Sequence, residues 1–282
     1  MTNLISIDDI RNTSGATTEL IEDAKITDII TKSQAQALST WKIYVEPTKV
    51  FEVRDGQNSQ DAVVNLPNDE TILRYPMVWK MLQVNIQETD LDLEYIQINP
   101  ERGTFRIERY EGNAYRYVYG YRTRLKYLSA FMERTTIITE STAEISVGSS
   151  VTIAVDDESS FAVDDWVVIE GADGNLEAAK ITATASDEIT VDSIVQSHES
   201  NSVITKLQTD EALTQFILYD SATNVANYIV GNTSNLATGY TYPEYSVQKG
   251  VAYTHWREAA ERFARKRDEF KAKVELKLNA MS

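Results

Sequence analysis

The chain has 282 residues, 42% apolar and 25% charged, with seven Phe, fifteen Tyr and four Trp. That is enough aromatic and aliphatic mass for two or three cored units, and it argues against wholesale disorder. With no cysteine, disulfides, thiolate metal sites and thiol nucleophiles are excluded; a formal net charge of −16 opposes non-specific nucleic-acid binding by the chain as a whole.

Taken in order, the first forty residues read as helix, with Thr17 or Thr18 as cap and Leu20, Ile21, Ala24, Ile29 and Ile30 near helical spacing. Lys49-Val50-Phe51-Glu52-Val53 alternates as a strand does, and Asp55-Gly56 signals a turn before a short run at Val63-Val64-Asn65-Leu66. A meander follows from Pro76: an apolar run to Ile86, a strand at Tyr95-Ile96-Gln97-Ile98, and another at Phe105-Arg106-Ile107-Glu108. Tyr115-Arg116-Tyr117-Val118-Tyr119-Gly120-Tyr121 closes it, with tyrosines on one face and Arg116, Val118 and Arg122 on the other. Residues 125–131 read as a short helix or a connector.

Residues 140–206 hold fourteen acids, two lysines and no arginine, a net charge of −12 in 67 residues. Strands are expected at 151–155, 166–170, 179–183, 188–191 and 202–205, with a hairpin turn at Ala172-Asp173-Gly174-Asn175. Spacing of about a dozen residues between strands suits a small barrel or sandwich. A helix is expected from Thr209, with Asp210 and Glu211 in its first turn and Gly231-Asn232 at its end. After a polar loop, residues 253–280 read as a final helix striped by Trp256, Ala260, Phe263, Phe270, Val274, Leu278 and, just past its end, Met281, with Arg267 interrupting the stripe.

The expected architecture is α+β: a helical and β-meander core over 1–134, an inserted small acidic β-barrel or sandwich over 135–207, and a helical segment over 208–282 that ends in a long C-terminal helix and packs with the 1–134 core or with a partner. No apolar run reaches the roughly 18 residues of a membrane span. The Met1-Thr2-Asn3-Leu4-Ile5 start reads as lacking the regions of a secretory leader, and the absence of cysteine is compatible with assembly in a cytoplasm.

Catalytic chemistry finds little support. His198 and His255 lack partners at metal-ligand spacing and read as surface and helix-end residues. Paired acids at Asp8-Asp9, Asp156-Asp157-Glu158 and Asp164-Asp165 read as solvated turns; calcium held by Asp156, Asp157, Asp164 or Asp173 is the sharper alternative. Neither a phosphate-cradling glycine loop nor a Gly-x-Ser-x-Gly elbow occurs. No cofactor and no enzymatic activity are expected. The Tyr115, Arg116, Tyr117, Tyr119, Tyr121 and Arg122 strand reads as a subunit interface in preference to a base-stacking surface. Trp256, Arg262, Phe263, Arg265, Lys266 and Phe270 read as a partner-docking face or as packing on the chain's own domain.

The order of elements over 1–134 resembles the head–tail connector (adaptor) proteins of tailed double-stranded DNA viruses. The resemblance rests on Ile7-Asp8-Asp9-Ile10, the Asp55-Gly56 turn, the run from Pro76 to Ile86, and Tyr119-Gly120-Tyr121. Phe161-Ala162-Val163-Asp164-Asp165-Trp166-Val167-Val168-Ile169 is similar to β-barrel insertions of virion proteins, although an acidic module departs from the compact adaptor plan. The resemblance implies a ring of about twelve copies at the head–tail junction of a virion. It would contact the portal protein, a tail-side connector protein and, transiently, packaged DNA, with no membrane. A tail-tube or tail-terminator component, or a nucleic-acid-binding module using residues 102–126, are the alternatives. An acidic chain with thirteen lysines also suits a virus of a salt-loving host.

Overall fold

The computed structural model describes residues 4–54, 71–73, 75, 77–86, 88–100, 102–107, 123–172, 174–234 and 250–280. The chain divides into two compact units, one from residues 1–42 and 210–279, the other from residues 43–209 and 280–282. This cut differs from the three-part division expected from sequence. The meander and the acidic module belong to one unit, and both ends of the chain contribute to the other.

The first unit is helical: α1 (Ile7–Ser14), α2 (Asp23–Trp41), α3 (Glu211–Ser234) and α4 (Gly250–Ala280). The helical first forty residues form α1 and α2, and neither Thr17 nor Thr18 is the N-cap of α2. Ser6 and Asp9 form a reciprocal capping box at the start of α1, and Gly15, in the left-handed region at φ 74°, ends it. Thr17 serves through its carbonyl, which accepts from Leu20 and Ile21, and the N-cap of α2 is Glu22. The Arg11 guanidinium ties the two helices together by binding the Ala16 and Ile21 carbonyls and pairing with Asp23.

Helix α3 is apolar on more than one side. Leu213, Ile217, Val225, Ala226 and Ile229 are buried, as are Ile26, Ile29, Ile30 and Ala37 of α2. Trp41 meets Phe216 edge-on at 4.8 Å, and Tyr219 stacks on Phe270 of α4 at 5.7 Å. A helix wrapped this way needs no amphipathic stripe, because neighbours cover several faces. Buried Asp210 accepts from the Leu213 N–H at 3.1 Å and pairs with Lys277, fixing the start of α3 to the end of α4.

The second unit contains three antiparallel sheets. Its strands are β1 (Thr48–Arg54), β2 (Thr71–Ile72), β3 (Val78–Ile86), β4 (Thr89–Asp90), β5 (Ile96–Asn99), β6 (Thr104–Ile107), β7 (Thr123–Ser129), β8 (Met132–Glu140), β9 (Gly148–Ala154), β10 (Trp166–Glu170), β11 (Leu176–Ala185), β12 (Glu188–Ile194) and β13 (Val203–Thr209). The sheet orders are β1-β7-β3-β4, β2-β6-β5 and β8-β13-β10-β11-β12-β9. Residues 125–131 are thus no helix. Strand β7 is central to its sheet, and its period-two burial (Leu125 and Tyr127 in, Arg124 and Lys126 out) is what a strand with one wet face requires.

The acidic module is the six-stranded sheet. Ile153, Val167, Ile169, Ile181, Ile189, Val191, Ile194 and Ile204 fill its interior together with Phe161. Each such side chain is worth about 1.5–3 kcal/mol when fully removed from water, so the β-branched residues hold the fold while most of the acids stay at the surface and Glu177 alone of them is buried among the described residues. Among the described residues the sheet is not a closed barrel: its outer strands β8 and β9 are joined by an isolated bridge, Ser141↔Val155. The β10–β11 turn has the expected place, with Gly174 at φ 81° and the Gly171 N–H donating to the Asn175 carbonyl at 2.9 Å.

Candidate functional site

Strand β1 alternates: Val50 and Glu52 are buried, and Lys49, Phe51 and Val53 point outward. Glu52 is satisfied inside by the Tyr127 hydroxyl, which donates to it at 2.8 Å. Cross-strand register with β7 and β3 arranges the opposite face in rows. Lys49, Leu128 and Lys80 form the first, Phe51, Lys126 and Gln83 the second, and Val53, Arg124 and Asn85 the third. Gln83 and Asn85 confirm this shared face, since both amides donate to Asp90 Oδ1, at 2.9 and 3.0 Å. Those two donors, Asn85 foremost, hold the Asp90 carboxyl below the usual carboxylate range.

The first row is closed over, with Lys80 and Leu128 buried. The second is open, and Phe51 is 63% exposed. Lys49, Lys126, Arg124, Gln83 and Val53 are exposed around it. Among the described residues β1 also has no strand along its outer edge. A large aromatic side chain bordered by three cations thus stands beside a strand edge that no other strand pairs among the described residues.

What closes the first row is a buried charge cluster. Lys80 and Glu177 are each 1% exposed, with Nζ and Oε2 3.1 Å apart. Lys80 also donates to the Ser193 carbonyl at 2.6 Å and to its hydroxyl at 3.2 Å. Glu177 accepts from the Val195 and Gln196 N–H groups at 3.0 Å each, and His198 Nε2 lies 3.1 Å from Oε1. Burial works to raise the Glu177 pKa. The His198 hydrogen bond, the Lys80 charge and the two backbone donors outweigh it, and the net direction is downward. Gln196 extends the cluster by donating to the Ile96 carbonyl at 2.9 Å. The cluster pins β11 of the acidic module to β3 of the four-stranded sheet. His198 is therefore a buried structural residue, where sequence reading placed it on the surface; His255 is exposed.

Sequence reading missed Lys80 and Glu177. The available signal was a lone charge inside each of two apolar runs, Val78-Trp79-Lys80-Met81 and Leu176-Glu177-Ala178-Ala179. A strand buried on both faces tolerates a charge only when a partner comes with it.

The residues assigned to partner docking on α4 separate into two groups. Trp256 and Phe263 are buried, and Phe263 and half-buried Phe270 lie against Tyr219 of α3, so these aromatics serve the helical unit's own core. Arg262, Arg265 and Lys266 are exposed; Arg262 lies over the Phe263 ring at 5.2 Å and Lys266 pairs with Glu269 at 3.0 Å. Arg267, which interrupts the stripe, reaches Asp220 of α3 at 3.7 Å. Tyr115, Arg116, Tyr117, Tyr119, Tyr121 and Arg122 lie outside the described residues.

Each acidic run singled out in the sequence has a member engaged locally, and Asp173 lies outside the described residues. Asp164 pairs with Lys180 at 2.7 Å and Asp165 with Lys206 at 2.6 Å, while Asp157 accepts from the Ser159 N–H at 2.9 Å. Among the described residues no group of three or more His, Asp or Glu is placed to hold a metal. A polar hollow of about 340 Å³ is lined by Gln97, Thr104, Arg106, Arg134 and Glu170; its arginines are engaged by Gln97 and Glu170. No helix among the described residues is long and apolar enough to cross a membrane. No protein-family model matches the chain, and no curated protein matches it.

Proposed function

We propose that the protein is a virion structural component of the head–tail connector type, whose copies form a ring between portal and tail through which genomic DNA passes. The observation that carries this reading is the open face around Phe51, bordered by Lys49, Arg124 and Lys126 and by an edge of β1 that no strand pairs among the described residues. A monomer gains nothing from presenting such a face to water, whereas a neighbour covering it removes apolar area and pairs the cations. About twelve copies would close the ring. Arg262, Arg265 and Lys266 supply the contact to the portal, and a tail-side connector protein takes the opposite end. The acidic module lets DNA pass without sticking by repelling its phosphates.

The test is electron microscopy with sedimentation of the purified chain, alone and with a portal oligomer. Rings, or rings capping the portal, are the expected outcome. Stacked tubes would favour a tail-tube component instead. The cations around exposed Phe51 also support a second reading, a single-strand nucleic-acid surface in which phosphates meet Lys49, Arg124 and Lys126 and a base stacks on the ring. Salt-sensitive DNA binding by a chain that stays monomeric would establish that reading and reject the ring.

A further inference from the structure

We infer that the open Phe51 face is occupied by the acidic β8–β9 corner of a second copy of this chain. This deepens the ring reading and rests on it. The corner gathers six carboxylates: Glu140, Asp156, Asp157, Glu158, Asp187 and Glu188. Local hydrogen bonds bring them together. The Asp156 N–H donates to the Glu140 carbonyl at 3.1 Å, the Asp157 N–H to Thr139 Oγ1 at 3.1 Å, and the Asp187 N–H to Glu158 Oε2 at 3.0 Å. Glu188 opposes Ala154 in the β9–β12 ladder. Among the described residues no lysine or arginine pairs with any of the six.

Ile138 lies two residues from Glu140 on the same outward side of β8 and is 57% exposed. The corner therefore presents an apolar side chain framed by anions. The sheet face presents Phe51 and Val53 framed by Lys49, Arg124 and Lys126, and among the described residues none of these cations is ion-paired. Asp90, the one carboxylate this face carries in those rows, is held at its far side by Gln83 and Asn85. The two surfaces match in charge and each offers an apolar centre. Both lie in the unit formed by residues 43–209, so every copy carries one of each. They are different surfaces, so the contact is heterologous. It repeats from copy to copy and closes into a ring when the rotation permits.

Two charge-reversed variants of the full chain test this by mass photometry and sedimentation. One carries Arg124→Glu with Lys126→Glu, the other Asp156→Lys with Asp157→Lys. Each alone is expected to weaken self-association on the order of 100-fold, because like charges then face each other. An equimolar mixture is expected to assemble again, since the reversed face of one variant suits the reversed corner of the other in strict alternation. All four positions are exposed, and an unchanged melting temperature for each variant certifies folding. If wild type forms rings and both variants form them equally well, or the mixture stays dissociated, the assignment of the occupant fails while the ring reading stands. A wild-type chain that remains monomeric with and without portal overturns the ring reading itself.

Discussion

Lysine–glutamate pairs occur in two settings here, and the contrast separates decoration from architecture. On α4, Glu269 lies 3.0 Å from Lys266 and 3.2 Å from Lys273, all three in water. Between β3 and β11, Lys80 and Glu177 meet at 3.1 Å with almost no solvent access and share His198, Ser193 and two backbone N–H groups. Both glutamates are held below their ordinary pKa, Glu269 by its two lysines and Glu177 against the opposing effect of burial. Water screens the first arrangement and salt weakens it further. In the second, neither charge can be left alone without a large penalty.

The largest expected effect follows from breaking the buried cluster. Lys80→Ala strands Glu177 in the interior and should cost about 3–5 kcal/mol in urea unfolding. In a double-mutant cycle with Glu177→Gln, a coupling of about 1–3 kcal/mol is expected; simple additivity would show that the two side chains act separately. Phe263→Ala, which opens a cavity beside Tyr219 in the helical unit, should cost about 3–4 kcal/mol and lower that unit's thermal transition first.

Acid should also act through Glu177. Its folded pKa is depressed, so its stabilisation is complete above the ordinary glutamate value and is lost as pH falls through the lower folded value. Stability measured against pH should fall on that acid limb, and Glu177→Gln should flatten it; an unchanged slope would remove Glu177 from the account. Ser6→Ala, which deletes half of the α1 capping box, should cost about 1 kcal/mol. Smallest of all, Glu269→Gln on α4 should leave the urea midpoint within the scatter of repeat measurements, and a clear loss there would erase the contrast drawn above.

How much of this was readable from sequence depended on whether a residue's burial follows from its neighbours in the chain. The strands of the acidic module were legible because Val167, Val168 and Ile169 or Ile189 and Val191 announce themselves by β-branching. The turn at Gly174 and the long final helix were legible for similar local reasons. Strand β7 was misread because Leu125-Lys126-Tyr127-Leu128 is short and carries residues tolerated in either state, and its strand character comes from β1 and β3 on either side. Strand β8, with Thr135-Thr136-Ile137-Ile138-Thr139, offered a clear β-branched run that went unused.

The candidate site was less legible still. Phe51 and Lys126 are 75 positions apart, and only the register of β1 against β7 makes them neighbours. The Lys80–Glu177 contact spans nearly a hundred positions and required two odd charges to be matched across the chain. For Trp256 and Phe263 the sequence leaves docking and packing on the chain's own domain both open, because an apolar stripe is the same pattern whether its cover is another chain or α3.

The helical unit joins residues 1–42 to residues 210–279, with residues 43–209 emerging from the ribosome between them. The amino-terminal helices α1 and α2 are made first, yet α3, which buries Ile26, Ile29 and Ile30, arrives about 170 residues later. At typical elongation rates that interval is on the order of ten to thirty seconds, ample time for the β unit to fold. The nascent chain thus carries a complete β unit behind an unsatisfied pair of helices, and the helical unit closes only once α3 and α4 have been made.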